Sequence, residues 1–327
     1  MQLNLLGLLG RDSLKIPQHE SFKGKRVLVT GAGGSIGSAI AKQLVEEAEF
    51  VGFIGQSESP IFRLLSDLNS IPPQSQYAWA IEDCANIPIN IWRDWAPDVV
   101  IHAAAHKHVG LMQSQPGKAF ANNTCATLQL ALKAFDCGVQ NFVFISTDKA
   151  VRPSSIMGAS KRLAEAWLLA RAPWATVCRF GNVAGSSGSL IEIVAEKVAK
   201  GEKVTLTSSG MKRYFITPDE AVRLVLSSTF NPGMFTLNMG EPILIEDIIH
   251  RIGQQASRCV NLEVTEAGAG EKEDEDLLNP NEYLVNVGGD YCEVRCDKGW
   301  PKAAHVDSLI RMVAHGEIGI VDAANHL

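Results

Sequence analysis

The sequence predicts an α/β protein built on a Rossmann-type, doubly wound parallel sheet with a smaller C-terminal substrate-binding lobe. Three observations lead there. Short β-branched runs alternate with segments whose apolar residues recur at helical spacing. Gly31, Gly34 and Gly37 fall between the first such run and the first such helix. Beyond residue 184 the pattern becomes smaller in scale and less regular.

Residues 1–20, opening "MQLNLLGLLGR", form an apolar N-terminal arm. It is far shorter than the roughly 20 residues that cross a bilayer. It reads as an arm on the protein's own surface, or else as a contact with a membrane or a second subunit. "KRVLVTGAGGSIGSAIAKQLVEE" then reads as strand, tight turn and helix. Gly31, Gly33, Gly34, Ser35, Ile36 and Gly37 let the backbone turn sharply and approach a pyrophosphate at the positive end of that helix. A dinucleotide site follows.

Further strands are expected at Phe50 to Ile54, Tyr77 to Ile81, Val99 to Ala103 and Asn141 to Ser146. The second ends in Gly55, Gln56 and Ser57, without the carboxylate that commonly holds an adenosine ribose. Nothing there repels a 2′-phosphate and no arginine stands beside the position, so NAD and NADP both fit. Asp83, beside Cys84, suits an adenine amine or a surface turn equally. After the fourth strand, Ala103, Ala104 and Ala105 should line the cofactor, with His106, Lys107 and His108 entering the sugar and diphosphate region. The histidines lack a carboxylate or thiolate at ligand spacing, so no metal is expected. Asn122 and Asn123 open the next helix.

The fifth strand, "NFVFIST", delivers Ser146, Thr147, Asp148 and Lys149 to the end of the sheet where ligands bind. A helix from about Ser155 puts Met157 and Lys161 on one face. Arg179 and Asn182 fall at a strand end, and the amides of Ser187, Gly188 and Ser189 suit a phosphate or a uracil edge. Arg213 is the best cation for a diphosphate, because guanidinium grips phosphate oxygens in a fork. The nucleotide domain is expected over 21–184, with 212–233 returning to it, and the substrate lobe over 185–211 and 234–327. The charge run from Gly270 to Leu278 reads as a solvated loop or helix start.

Composition narrows the function classes. The chain has 327 residues, 46% of them hydrophobic, and a formal net charge of −6. Its basic residues are dispersed, which argues against a nucleic-acid partner. Seven cysteines without paired spacing fit a reducing cytoplasm, and no leader or spanning segment is legible.

"TGAGGSIGS", "HAAAHKHVGLM", "STDKAVRPSSIMGASKR", "RFGNVAGSSGS" and "RYFIT" occur in an order and spacing that resemble the polysaccharide-synthesis branch of the extended short-chain dehydrogenases/reductases. Within it the chain resembles the UDP-N-acetylglucosamine 4,6-dehydratases that carry methionine in place of the usual tyrosine. The similarity runs from about Leu6 to Ile249, and "LLGRD" looks like the linker after the membrane region of the family's long members. The resemblance implies NAD or NADP, tightly bound and recycled, a UDP-sugar substrate and a homo-oligomer paired through the helices opening near Asn122 and Ser155. It implies oxidation at C4 of the hexose, loss of water across C5 and C6, and return of hydride to C6. Lys149 is implied as base and Asp148 as acid, with the reverse open, and Lys161 as the ribose-holding lysine. Met157 has no proton to exchange, so the C4 hydroxyl proton must leave through Asp148 or through a water held by Thr147 and Lys161. Ala39, Gln113 and Gly268 depart from the family pattern, which leaves room for a C4 epimerase, a ketoreductase or a non-catalytic nucleotide-binding protein.

Overall fold

The structure is a computed structural model, and it describes residues 3–69, 76–266, 268 and 270–327. Seven parallel strands form the centre of the sheet: β1 (Arg26–Thr30), β2 (Phe50–Gly55), β3 (Gln76–Ile81), β4 (Val99–His102), β5 (Asn141–Ile145), β6 (Ala175–Cys178) and β7 (Gly233–Leu237). An antiparallel hairpin, β8 (Glu282–Gly288) and β9 (Tyr291–Cys296), adds to β7, so the order is β8-β9-β7-β6-β5-β4-β1-β2-β3. The four predicted strands after the first appear within a residue or two of their expected bounds. The continuous Val, Ile and Phe runs of β2, β4 and β5 are buried because helices cover both faces, whereas β3, at the edge of the sheet, leaves Trp79 and Ile81 exposed.

One face carries α2 (Ser35–Leu44), α3 (Glu58–Leu68) and α9 (Pro218–Ser228), through Ile40, Leu44, Ile61, Leu64 and Leu224. The other carries α4 (Ile89–Trp95), α6 (Ala126–Asp136) and α7 (Ile156–Arg171), through Trp92, Leu130 and Leu168. The short α5 (Val109–Gln113) follows β4, and a wide π-helical turn at Phe120–Cys125 feeds α6. A second lobe packs α8 (Leu190–Lys200) on α10 (Ile245–Gln255), around Ile191, Val194, Ile248 and Ile252. The arm's helix α1 (Leu5–Leu9) buries Leu8 in that cluster, while Leu14 and Ile16 join the sheet's core. The arm therefore packs on the protein itself and straps the two lobes together. Its clasp is Arg11, whose guanidinium grips both oxygens of buried Glu220 at 2.7 and 2.8 Å.

Two expectations need correction. The lobe was expected to hold all of 234–327, but β7, β8 and β9 extend the nucleotide sheet, and α11 (Ala303–Ala314) and α12 (Ile320–Asn325) return to pack on α7. Strand pairing across sequence separations of this size leaves no local trace in the sequence. The helix opening at Ser155 was expected to offer an apolar face to a second subunit. Leu309, Ile320 and Ala323 already cover its Ala159 and Leu163, whereas α6 leaves Leu132 and Phe135 exposed.

Candidate active site

The strand order reverses between β1 and β4, and beyond their carboxyl ends lies a cavity of about 810 Å³. Its floor is the glycine turn and the start of α2. Gly31 has φ +66°, and a Cβ there would come within 2.6 Å of the Ala104 nitrogen, so only glycine allows β1 and the loop after β4 to lie this close. Gly34 caps α2 without a side chain, leaving the first amides of the helix free of a side-chain cap and facing the cavity. Ser146 Oγ is buried there with no partner among the described residues.

Lys161 and Met157 line the same cavity. Lys161 Nζ donates to the Ile145 carbonyl at 2.8 Å and lies 4.2 Å from the centre of the Phe144 ring. Burial pulls its pKa down to about 7, against the opposing pull of Glu165 and Cys84. The helix is fixed at its start by Ser155, whose Oγ accepts from Gly158 N at 3.1 Å, and by Gln113, whose Oε1 accepts from Ile156 N at 3.1 Å. Asn123, on the π-helical turn, ties this helix to the histidine loop. Its Oδ1 accepts from His106 N at 2.8 Å, and its Nδ2 donates to His106 O and Ser160 Oγ, both at 3.0 Å.

Thr147, Asp148 and Lys149 leave β5 through a 3₁₀ turn onto which α7 presses directly. A Cβ on Gly158 would lie 2.1 Å from the Lys149 carbonyl oxygen. Asp148 is wholly buried, and its Oδ1 accepts from Thr147 Oγ1 and from Lys149 Nζ, each at 3.0 Å. Its Oδ2 has no partner among the described residues. Lys149 Nζ also donates to Asn182 Oδ1 at 2.9 Å. Asp148 itself does not line the cavity; Thr147 and Lys149 do, and they connect it to that space.

Beyond Lys149 lies a smaller space of about 260 Å³, shared by Asn182, Arg213, Lys272 and Glu275. The charge run after Gly270 is therefore a loop that turns Lys272 and Glu275 into the site while Glu271, Glu273 and Asp274 stay exposed, so the expectation of a wholly solvated loop is corrected. Glu275 is 6% exposed, with Oε1 3.9 Å from Lys149 Nζ and 4.0 Å from Arg213 Nε. Burial pushes its carboxyl upward, opposed by Lys149.

The cavity brings together Gly33, Gly34, Ser35, Ile36 and Gly37, Ala103 and Ala105, His106 to His108, Ser146, Asn182 and Ser187 to Ser189. Others fall elsewhere. Gln56, Ser57, Asp83, Cys84 and Ala104 do not line it; Ser57 begins α3, Asp83 accepts from Ala85 N at 2.9 Å, and burial raises the Cys84 thiol to about 11. Arg179 is fully buried and grips Glu165 and Glu282, which makes it a core ion pair instead of a substrate contact. Arg213 faces the smaller space, but its terminal nitrogens donate to the carbonyls of Lys212, Lys272 and Glu273 at 2.7 to 2.9 Å, so its fork is already filled. The loop amides are likewise engaged: Ser187 N donates to Ser35 Oγ at 2.9 Å, and Gly188 N donates to Glu192. His102 bonds Thr30 and Thr127, and burial holds its pKa at about 3. Sequence reasoning missed Arg63, which α3 brings to the cavity wall seven residues past Gln56, and Lys272 and Glu275. Only packing discloses these.

Free helix amides at a strand-order reversal, a buried lysine on the helix after the fifth strand and a Thr-Asp-Lys turn between them define a Rossmann-type protein of the short-chain dehydrogenase/reductase kind. The chain belongs to the polysaccharide biosynthesis protein family, whose profile matches residues 27–291. It is 40% identical over 294 residues to the "Probable polysaccharide biosynthesis protein EpsC" of Bacillus subtilis, covering 84% of this chain and 49% of that one. The chain thus spans about half the length of that relative. It is 30% identical over 217 residues to a UDP-N-acetylglucosamine 4,6-dehydratase (inverting) of Campylobacter jejuni, covering 63% of this chain and 64% of the other. In fold it is similar to Pen from Bacillus thuringiensis, with a TM-score of 0.74, 24% identity, and coverage of 90% of this chain and 99% of that one.

Proposed function

We propose that this chain is a nucleotide-sugar 4,6-dehydratase that acts on UDP-N-acetylglucosamine or a close relative and uses NAD or NADP, held tightly and recycled. The observation that carries the reading is the Thr147–Asp148–Lys149 turn, which borders the dinucleotide crevice against a helix that offers Met157 and Lys161 but no phenol. The C. jejuni relative's name supports the same chemistry.

The residues present fit a dinucleotide. The amides opening α2 suit its pyrophosphate, Lys161 suits the ribose next to the nicotinamide, and unpartnered Ser146 Oγ offers a further hydrogen bond. When bound, the nicotinamide supplies a temporary store for the hydrogen removed from C4. The chain's own side chains handle protons. A C4 ketone acidifies the C5 proton, which Lys149 Nζ, held between Asp148 and Asn182, takes as base. The proton that leaves with the C6 hydroxyl comes from the Asp148 side. Because Asp148 is buried, it reaches the sugar through Thr147 Oγ1, 3.0 Å from its carboxylate. Met157 contributes an apolar wall. The C4 hydroxyl proton uses the same Thr147 route or a water between Thr147 and Lys161.

The test is to incubate the purified protein with UDP-N-acetylglucosamine and the cofactor and to follow the nucleotide sugar by mass spectrometry. The expected product is lighter by one water. A product of unchanged mass but altered configuration at C4 would mark an epimerase, and binding without turnover a sensor; either result overturns the dehydratase reading.

A further inference from the structure

We propose that Glu275 is the proton partner of Lys149, a positioning residue that keeps the lysine charged in the open site and accepts its proton when substrate closes over it. The proposal rests on the reading of Lys149 as the base. Glu275 comes from the 270–278 segment, more than 120 residues away in sequence, yet is more than nine-tenths buried against the space that Lys149 borders. Its Oε1 stands 3.9 Å from Lys149 Nζ and its Oε2 has no partner among the described residues. A buried carboxylate oxygen without a protein hydrogen-bond partner is costly, and protonation relieves that cost.

The charged groups facing the pair are Asp148, on the lysine side, and Arg213 and Lys272, on the glutamate side. Burial and Asp148 favour the protonated acid, while the two cations favour the carboxylate, and the net effect pushes the Glu275 pKa upward. Displacing water from the adjoining cavity strengthens the desolvation side of that balance. The exchange conserves atoms and charge: one N–H bond of the Lys149 ammonium breaks, an O–H bond forms on Glu275, and an ion pair becomes a neutral amine beside a neutral acid. At 3.9 Å the pair is beyond hydrogen-bond reach, so the transfer needs an approach of about 1 Å or one bridging water. A hexose that places C5 at Lys149 thus meets a base that has been discharged by its own binding.

Glu275→Gln keeps the shape and removes the exchangeable proton. Two readouts separate the proposal from the reading beneath it. In the substrate-free protein, acetic anhydride labelling of Lys149 at neutral pH, read on its peptide by mass spectrometry, should run roughly threefold to tenfold faster in the variant, because a neighbouring carboxylate no longer holds the ammonium. Dehydration should slow by roughly tenfold or more with KM little changed, and Glu275→Asp should restore part of it. Unchanged labelling overturns the proposal whatever the activity shows. Faster labelling with unchanged dehydration keeps the ion pair but overturns the proton exchange, because Lys149 then loses its proton without Glu275. Cofactor affinity equal to that of the parent protein verifies that the variant is folded.

Discussion

At the residue scale, Met157 stands where the family that the sequence resembles usually carries tyrosine, and a thioether has no proton to exchange. Met157 is 4% exposed and lines the cavity, so its contribution is packing. Met157→Leu, close in volume, should retain turnover within about threefold, as measured by initial rates. Lys149→Ala should lower turnover by about 10²- to 10⁴-fold while the cofactor, followed by its fluorescence, still binds. Lys161 makes a prediction about stability. Its pKa is 10.5 in the unfolded chain and about 7 in the fold, so between those values the unfolded state binds more protons. Its burial penalty is therefore full below pH 7 and fades as pH rises toward 10.5. Lys161→Met should be more stable than the parent near pH 6, should converge with it as pH rises through that window, and should bind the cofactor more weakly at every pH, as read by urea midpoints and fluorescence titration.

At the scale of elements, the structure reassigns Arg179. The residue is fully buried and does not line the cavity; it joins the exit of β6 to Glu165 of α7 and Glu282 of β8. Burial alone would lower the guanidinium pKa, but the two carboxylates more than offset this and raise it, and Arg179 in turn holds Glu282 at about 2. Arg179→Ala leaves buried Glu165 and Glu282 with Arg162 as the one remaining cation beside them among the described residues, and should cost about 3–5 kcal/mol in denaturant unfolding, with KM for the nucleotide sugar unchanged in the folded fraction. The sequence displayed Arg179 at a strand end, where function is common, but not the direction of its side chain. That direction depends on β8, a strand roughly a hundred residues later. The strands, the glycine turn and the helix at Ser155 were legible because each is specified within some twenty residues by periodicity and turn chemistry.

At the scale of the molecule, the C-terminal helices act as a cover. α11 and α12 lay Leu309, Ile320 and Ala323 over Ala159 and Leu163 of the helix that holds Met157 and Lys161. Removing residues 303–327 should uncover that apolar face, lower the thermal midpoint and raise binding of a hydrophobic dye before any effect at the cavity is considered. Among the described residues no helix is long and apolar enough to cross a membrane.

What the sequence determined by itself was the nucleotide-binding half: its strand–turn–helix start, its glycine cradle and the Thr147–Asp148–Lys149 and Met157–Lys161 pairings, all written in short-range spacing. Only the tertiary structure decided which charges share the site. It drew Glu275 in beside Lys149, turned Arg179 and Arg213 away to carboxylates and carbonyls, and closed the sheet with a hairpin from the chain's end. The physical reason is that a buried charge must find its partner wherever the fold brings one. That choice is made by desolvation across long sequence separations, which no local pattern records.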